Sequence, residues 1–184
     1  MIAIGVLVSG AGSNLQALIE QLHGRDLVIA GVCSDRSGAG GLARAEAAGI
    51  DSAVFTDPPA MADWLVARGV RLVVCAGYMR ILPPGFLARF DGRVVNVHPS
   101  LLPAFPGARA IERALEAGVS ETGVTVHWVD EGMDTGAVIS QERVAVDYSE
   151  LPEALHARIH AVEHRLLPAT VRTLARELEA VGEQ

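Results

Sequence analysis

The sequence contains no lysine. All 15 of its basic residues are arginine, and the 22 acidic residues leave a net charge of -7. A protein that binds nucleic acid along an extended surface needs an excess of positive charge on that surface. The composition therefore argues against broad nucleic-acid binding and leaves open a small anionic ligand held at a local site.

Cysteine is scarce, with Cys33 and Cys75 the only two in 184 residues. Both fall in apolar segments that are predicted to be core strands. Buried cysteines behave as small apolar residues, and disulfides are rare in reducing compartments. We therefore expect two unpaired core thiols in a cytoplasmic protein, rather than a disulfide or a metal site.

The sequence also lacks long apolar runs, linkers, low-complexity tracts and internal repeats. A membrane-spanning helix needs about 20 consecutive apolar residues, and no run approaches that length. The apolar segment from Met1 to Ser9 has no basic leader and precedes a glycine loop, so it indicates a first strand rather than a signal peptide. With 50% hydrophobic residues, the chain is predicted to form one domain over residues 1–184.

Strand and helix signals alternate along the chain. Strands are predicted at 2–8, 27–33, 52–55, 70–76 and 93–97, and helices at 15–22, 40–48, 61–68 and 111–116. Two further strands, at 122–129 and 137–144, are expected to include an antiparallel member, and a final helix at 151–181 is expected to be kinked or divided by Pro168. The alternation predicts an α/β, Rossmann-like, mostly parallel sheet with helices on both faces.

A glycine loop between the first strand and the first helix invites comparison with dinucleotide-binding folds. Asp35, at the end of the second strand, could mimic the acid that binds the ribose in such folds. However, the third glycine position of the G-x-G-x-x-G fingerprint is Leu15, where close helix packing requires Gly or Ala. This substitution argues against a nicotinamide cofactor.

The same loop suits a single phosphate group. The backbone N–H groups at Gly12 and the side chains of Ser13 and Asn14 meet at a helix N-terminus, where the helix dipole favours an anion. On the residues alone, an ordinary turn with Ser13 as the N-cap explains the loop equally well.

The most informative segment is Asn96 to Pro106, which follows a predicted buried strand. Asn96 and His98 point to the same face because they are two residues apart on a strand, and they lie at its carboxyl end, where parallel sheets build their sites. The amide is a neutral donor, and the imidazole can donate or shuttle a proton near neutral pH. A buried histidine at a strand end is the simpler alternative, but the shared face favours a catalytic pair.

The segment from Val94 to Gly107 resembles the signature of the folate-dependent formyltransferases, Asn-x-His-Pro-Ser-Leu-Leu-Pro. Residues 9–16, 76–82 and 130–136 resemble the same family in order and spacing, so the resemblance covers essentially the whole chain. It implies the formyltransferase fold. For the branch that it matches most closely, it implies transfer of a formyl group from 10-formyltetrahydrofolate to the amine of glycinamide ribonucleotide in de novo purine biosynthesis. It implies two small-molecule substrates and no metal, and it leaves the oligomeric state open.

The resemblance also implies roles for particular residues. Asn96 and His98 would stabilise the oxyanion, His98 would act as the general acid, and Asp134 would assist removal of the amine proton. The remaining assignments place the substrate phosphate at Gly12, Ser13 and Asn14, the ribose at Glu163, and the folate at Tyr78, Met79, Arg80, Ile81, Leu82, Val97, Val129 and Asp130.

Without the resemblance, several of these residues have simpler explanations. Asp134 would be a solvated turn residue, Glu163 an exposed helical acid and Arg80 a surface cation. Met79, Ile81 and Leu82 would be core residues, and His23, His127, His156, His160 and His164 would be structural or surface residues. Among these histidines, His160 is retained as a rim contact because it lies one helical turn before Glu163.

The chain departs from the family pattern at several positions. It has Ala104 where relatives often carry Lys, and Ala108-Arg109 where they often carry Leu-His. The segment 56–63 lacks an Arg that contacts substrate in relatives, a charge that Arg109 is a candidate to replace. The chain ends at Gln184, so we expect a terminal strand or tail of longer relatives to be missing. These departures bear on substrate affinity more than on the type of reaction.

Three alternatives remain open. Methionyl-tRNA formyltransferases share the central signature but typically have Tyr-Arg-Gly at residues 105–107 and a further RNA-binding domain. Formyltetrahydrofolate deformylases have an added N-terminal domain, whereas this chain begins at the first strand. A non-enzymatic nucleotide-binding module could use the same sheet and loop, but it would have no reason to combine Asn96, His98 and Asp134.

Overall fold

The computed structural model describes residues 1–182, which fold around one seven-stranded sheet. The strands are β1 (Ala3–Val8), β2 (Val28–Ser34), β3 (Ser52–Val54), β4 (Val70–Cys75), β5 (Val94–His98), β6 (Glu121–Trp128) and β7 (Val138–Ala145). The helices are α1 (Ser13–Leu22), α2 (Gly40–Ala47), α3 (Pro58–Val66), α4 (Pro84–Ala88), α5 (Ala110–Glu116) and α6 (Pro152–Gly182).

The sheet is mostly parallel. Its strand order is β3-β2-β1-β4-β5-β6-β7; the first five strands in this order are parallel, and β6 is antiparallel to both β5 and β7. The predicted fold class and the antiparallel member are therefore confirmed.

Two apolar cores, one on each face of the sheet, explain why the parallel strands are almost continuously apolar. Along β1, Ile4 and Val6 join a core completed by α1 and α6, whereas Leu7 joins a second core with α3 and α4. All three side chains are fully buried. Burial of each such side chain is worth about 1.5–3 kcal/mol, so both layers of helices are held on the sheet by the hydrophobic effect.

Helix α6 runs unbroken from Pro152 to Gly182 with Pro168 inside it. The prediction that Pro168 divides the helix is therefore wrong. An internal proline costs a helix about 3 kcal/mol through a lost hydrogen bond and a steric clash. Leu167 and Val171, on either side of the proline, are fully buried, and their packing offsets a cost of that size.

Local rules explain the other differences from the predicted elements. Helix α3 begins at Pro58, three residues before the predicted start, because the Asp57 side chain accepts a hydrogen bond from the Ala60 N–H at 3.1 Å and caps it. Helix α4 was not predicted, because five residues are too few to show a helical period. Cys33 and Cys75 are buried and unpaired, as predicted for two core thiols, and burial raises the pKa of each thiol to about 12.

The strand order creates a crevice at one edge of the sheet. From β1 the chain builds outward through β2 and β3 on one side, and then through β4 and β5 on the other. The loops that follow β1 and β4 therefore part at this reversal, where doubly wound sheets bind their ligands. Since β4 lies between β1 and β5, the carboxyl ends of those two strands are about 10 Å apart.

None of the helices within residues 1–182 has the length and apolar character that crossing a bilayer demands.

Candidate active site

Three predicted catalytic side chains meet at the carboxyl end of β5. The Nδ1 atom of His98 lies 3.3 Å from Oδ2 of Asp134, and the Asn96 amide Nδ2 donates to Oδ1 of Asp134 at 3.4 Å. His98 is 5% exposed, so the cluster is largely shielded from water. The structure thus brings together Asn96 and His98 from a strand and Asp134 from the loop between β6 and β7.

Asp134 is held as an ionised carboxylate. Burial raises the pKa of this carboxyl, but the hydrogen bond from His127, the N–H of Gly107 at 2.7 Å and the nearby charges of His98 and His127 outweigh burial and bring it to about 2. At neutral pH, the Asp134 side chain is therefore deprotonated and places a negative charge in the site.

The backbone around this carboxylate adopts an unusual conformation. Phe105, Arg109 and Asp134 are non-glycine residues with left-handed backbone angles, at φ 53°, 57° and 56°. Such residues cost about 1–3 kcal/mol each and concentrate at functional sites, where the surrounding structure enforces them.

Both ring nitrogens of His98 face oxygen atoms that only accept hydrogen bonds. Nε2 lies 2.9 Å from the carbonyl oxygen of Phe105, and Nδ1 faces the Asp134 carboxylate. Both nitrogens must carry a hydrogen for both bonds to form. The two contacts fix the orientation of the ring beside the cleft, where a histidine can act as a general acid.

His127 belongs to the same cluster. Its sequence context predicts a structural or surface residue and does not place it in the site. It is 2% exposed, and its Nε2 lies 3.4 Å from Oδ1 of Asp134 and 3.2 Å from Nδ2 of Asn96. Its Nδ1 lies 2.8 Å from the carbonyl oxygen of Trp128 and so carries a hydrogen. His127 is brought here by the antiparallel register that places it opposite Asn96, and nothing in the sequence specifies that register.

A cleft of about 350 Å³ opens beside the cluster, within the range of small-molecule sites. Its lining includes all eight side chains predicted to contact folate: Tyr78, Met79, Arg80, Ile81, Leu82, Val97, Val129 and Asp130. Their contact with folate remains a prediction. Burial and the charge of Asp35 raise the pKa of Tyr78 to about 12, so its phenol stays neutral.

Part of the rim of this cleft is apolar. Met79 is 68% exposed and Ile81 is 62% exposed, so the alternative that placed both in the core is wrong, whereas Leu82 is buried as expected. Arg109 also lines the cleft and pairs with Glu116 at 3.2 Å.

A wider depression of about 660 Å³ near the start of α2 has only Glu46 and Asp51 as ionisable lining residues and lacks a comparable cluster.

The predicted phosphate loop has free donors. Gly12, with φ 76°, is the N-cap of α1, and Ser13 is its first helical residue, so the alternative of Ser13 as the N-cap is wrong. Within residues 1–182, the N–H groups of Gly12, Ser13 and Asn14 have no acceptor. Consecutive free N–H groups at a helix N-terminus attract an anion.

Asn14 joins the loop to α6. Its side chain is buried, and Nδ2 donates to Oε2 of Glu163 at 3.4 Å. The other amide atom, Oδ1, has no partner within the described residues, which suits a hydroxyl or amine donor from a ligand.

Glu163 is 6% exposed, so the expectation of an exposed acid from the sequence alone is wrong. It lies on the face of α6 that packs against α1. Burial raises the pKa of Glu163 to about 7, against the lowering effect of the Asn14 hydrogen bond. His160, which is half-exposed, places Nδ1 3.8 Å from Oε2 of Glu163, and its role as a rim contact remains a prediction.

Asp35 accepts a hydrogen bond from the Ser9 hydroxyl at 2.6 Å and so supports the start of the phosphate loop.

Among residues 1–182, no group of three or more His, Cys, Asp or Glu side chains is arranged to hold a metal ion.

The comparisons with known proteins agree with one another. A family model described as formyl transferase matches residues 2–171. Phosphoribosylglycinamide formyltransferase of Haemophilus influenzae is 41% identical over 180 residues, which cover 92% of this chain and 85% of that protein. The protein of the same name from Bacillus subtilis is 38% identical, with 92% of each chain covered.

Larger proteins also match. The trifunctional purine biosynthetic protein adenosine-3 of Chironomus tentans is 41% identical over 185 residues, covering 94% of this chain but 14% of that protein. This chain therefore spans about a seventh of the length of that relative.

The fold matches solved structures equally well. Glycinamide ribonucleotide transformylase 1 from Symbiobacterium toebii superimposes with a TM-score of 0.91 at 44% identity, covering 96% of this chain and 89% of that one. Phosphoribosylglycinamide formyltransferase from Streptococcus pneumoniae gives a TM-score of 0.88 at 41% identity, covering 95% and 99%.

Proposed function

This chain belongs to the formyl transferase family, and we propose that it transfers the formyl group of 10-formyltetrahydrofolate to the amine of glycinamide ribonucleotide. This reaction is a one-carbon transfer step of de novo purine biosynthesis. The observation that carries the proposal is the placement of two complementary sites on one edge of the sheet. The cluster of Asn96, His98 and Asp134 lies at the end of β5, and the phosphate loop follows β1, whose carboxyl end is about 10 Å from that of β5.

The two substrates are assigned to different parts of this edge. Gly12, Ser13 and Asn14 hold the phosphate of glycinamide ribonucleotide with their free N–H groups, and Glu163 accepts hydrogen bonds from the ribose hydroxyls. The ring system of the folate lies in the cleft lined by residues 78–82, where the exposed Met79 and Ile81 supply apolar surface.

In the first step, the substrate amine attacks the formyl carbon and forms a C–N bond, and the carbonyl oxygen becomes an oxyanion. The Asn96 amide and the His98 ring both contact Asp134 and so lie beside each other, and we assign both as donors to that oxygen. One well-placed donor of this kind is typically worth about 10²–10³ in rate.

In the second step, the intermediate collapses as the bond between the formyl carbon and the folate nitrogen breaks. His98 donates its proton to the departing nitrogen, and Asp134 helps, through water, to remove the proton that the attacking amine loses. The low pKa of Asp134 keeps it ionised, so it can accept a hydrogen bond from the water that carries the proton away. The proton lost by the amine balances the proton gained by the folate, so the reaction is neutral overall.

We further propose that the chain is a single catalytic domain with small-molecule partners and that it works in the cytoplasm, as its two unpaired buried thiols suggest.

An acceptor panel tests the proposed function. The protein is incubated with 10-formyltetrahydrofolate and with glycinamide ribonucleotide, charged initiator tRNA or water alone, and the release of tetrahydrofolate is followed. We expect rapid release only with glycinamide ribonucleotide, because a bound amine gains proximity that free water lacks. Equal release without an amine would indicate a deformylase, release that depends on tRNA would indicate the tRNA enzyme, and no release would favour a binding module.

A further inference from the structure

Helix α2 donates two hydrogen bonds to backbone carbonyls of the phosphate loop. The carbonyl oxygen of Gly10 accepts a hydrogen bond from the N–H of Gly41 at 3.1 Å. The next carbonyl, of Ala11, accepts one from Nε of Arg44 at 2.8 Å. Two successive peptide groups of the loop therefore turn their oxygens toward α2.

The orientation of those peptide groups decides what the loop can bind. In a trans peptide the C=O and the following N–H point in opposite directions. With both carbonyls turned toward α2, the N–H groups of Ala11 and Gly12 point away from it. A loop that presents N–H groups attracts a phosphate, whereas one that presents carbonyl oxygens repels it.

Arg44 is the side chain that fixes the second of these peptide groups. Besides Nε on the Ala11 carbonyl, it places Nη1 3.1 Å from Oε1 of Gln16 on α1. One guanidinium thus ties together α2, the loop and the helix whose N-terminus completes the site. Ala11 itself is exposed.

The loop and α2 are in direct backbone contact. A Cβ atom built on Gly12 would lie 2.5 Å from Cα of Gly41, and one built on Gly40 would lie 3.1 Å from the oxygen of Ala11. Arg44 therefore acts on a loop that already lies against its own helix, and a small change in its side chain is transmitted directly to Ala11.

We propose that Arg44 is a positioning residue of the phosphate subsite, which turns the peptide between Ala11 and Gly12 so that its N–H faces the substrate. Arg44 acts through Ala11 rather than by contact with the phosphate. The inference rests on the proposed function only in assigning a phosphate ester to this loop.

The primary test replaces Arg44 by methionine, which keeps the aliphatic stem and removes both hydrogen bonds. A hydrogen bond from a charged donor is typically worth about a factor of ten or more, so we expect KM for glycinamide ribonucleotide to rise at least about tenfold. We expect kcat to stay within about twofold and KM for 10-formyltetrahydrofolate to stay unchanged, because the catalytic cluster and the cleft do not touch Arg44.

Two further variants separate positioning from charge. Arg44→Lys keeps the charge, but an ammonium lacks the planar fork that reaches Ala11 and Gln16 together, so KM should remain raised. Full recovery in Arg44→Lys would overturn the positioning role. Arg25→Met is the matched control for net charge, since Arg25 is exposed and its side chain has no hydrogen bond within residues 1–182. An equal rise in KM in this control would also overturn the role.

Direct binding distinguishes a failure of this inference from a failure of the proposed function. Ribose 5-phosphate is titrated by calorimetry into wild-type protein and into Arg44→Met, with circular dichroism confirming the fold. Weaker binding in the variant supports the role of Arg44 even if glycinamide ribonucleotide proves not to be the acceptor. If Arg44→Met does not fold, Gln16→Leu, which removes one anchor of the guanidinium, should still weaken binding. Unchanged affinity in the folded variant, or no binding by the wild type, would overturn the inference.

Discussion

At the residue scale, the proposed chemistry depends on His98, whose two ring nitrogens face the carbonyl oxygen of Phe105 and the carboxylate of Asp134. His98→Ala removes a general acid and an oxyanion donor together, so we expect kcat to fall by about 10²–10⁴. The apolar cores lie elsewhere, and the variant should keep its circular dichroism spectrum. Steady-state kinetics of a folded variant that matched wild type would remove His98 from the mechanism.

Glu163 gives a prediction about pH. Its pKa of about 7 in the folded protein lies above the ordinary value of 4.5, so the folded state holds a proton that the unfolded state releases between those values. The associated stabilisation is complete below pH 4.5 and is lost as the pH rises through about 7. The shift corresponds to a decrease in the free energy of unfolding on the order of 3 kcal/mol across this pH range.

The matched variant is Glu163→Gln, which cannot titrate. We expect the free energy of unfolding of wild type, relative to this variant, to decline between pH 4.5 and 8. Urea titration in phosphate-free buffer measures this difference. Parallel pH profiles for the two proteins would show that Glu163 ionises normally.

These residues also show what the sequence could reveal. Asn96 and His98 were found because a spacing of two on a strand fixes a shared face, which requires no knowledge of the partner strand. His127 was missed because its place depends on the antiparallel register of β6 against β5. The burial of Glu163 was missed because it depends on which face of α6 packs against α1.

At the element scale, the turn from β1 into α1 is built around one glycine. Gly12 has φ 76°, and an added Cβ would overlap α2. We expect Gly12→Ala to displace the loop and weaken the binding of glycinamide ribonucleotide at least about tenfold, because a left-handed backbone and close approach both favour glycine. Folate affinity, measured by calorimetry, should survive. Lost folate affinity with retained nucleotide affinity would reverse the assignment of the two sites.

Most elements were predictable because apolar periodicity is a local property. The positions of β1, β2, β4 and β5 follow from short apolar runs, and β6 and β7 from their flanking turns. Pro168 misled because helix propensity is a local preference, whereas the packing of Leu167 and Val171 against the sheet is a tertiary effect that overrides it.

At the scale of the whole molecule, we expect residues 1–184 to unfold as one unit. The two cores share the same sheet, and each holds a tryptophan at its border: Trp64 on one face and Trp128 on the other. Tryptophan fluorescence and circular dichroism should therefore follow a single, coincident urea transition. Two separated transitions would contradict the assignment of a single domain.

The reversal of strand order is also a property of the whole molecule. It brings the loop after β1, the segment after β4 and the end of β5 to one edge, although they are widely separated in the chain. Sequence alternation predicts a parallel sheet, but the order of the strands depends on how the connections cross it, so the distance between the two subsites could be obtained only from the fold.

The most direct test of the proposed formyl transfer is to follow the transferred carbon. 10-Formyltetrahydrofolate labelled with ¹³C in the formyl group is mixed with glycinamide ribonucleotide and the protein, and the label is followed by ¹³C NMR. We predict that the signal moves to a formamide carbon on the nucleotide, at a rate that His98→Ala reduces by at least about 10². A label that appears as free formate, or that stays on the folate, would contradict formyl transfer to glycinamide ribonucleotide.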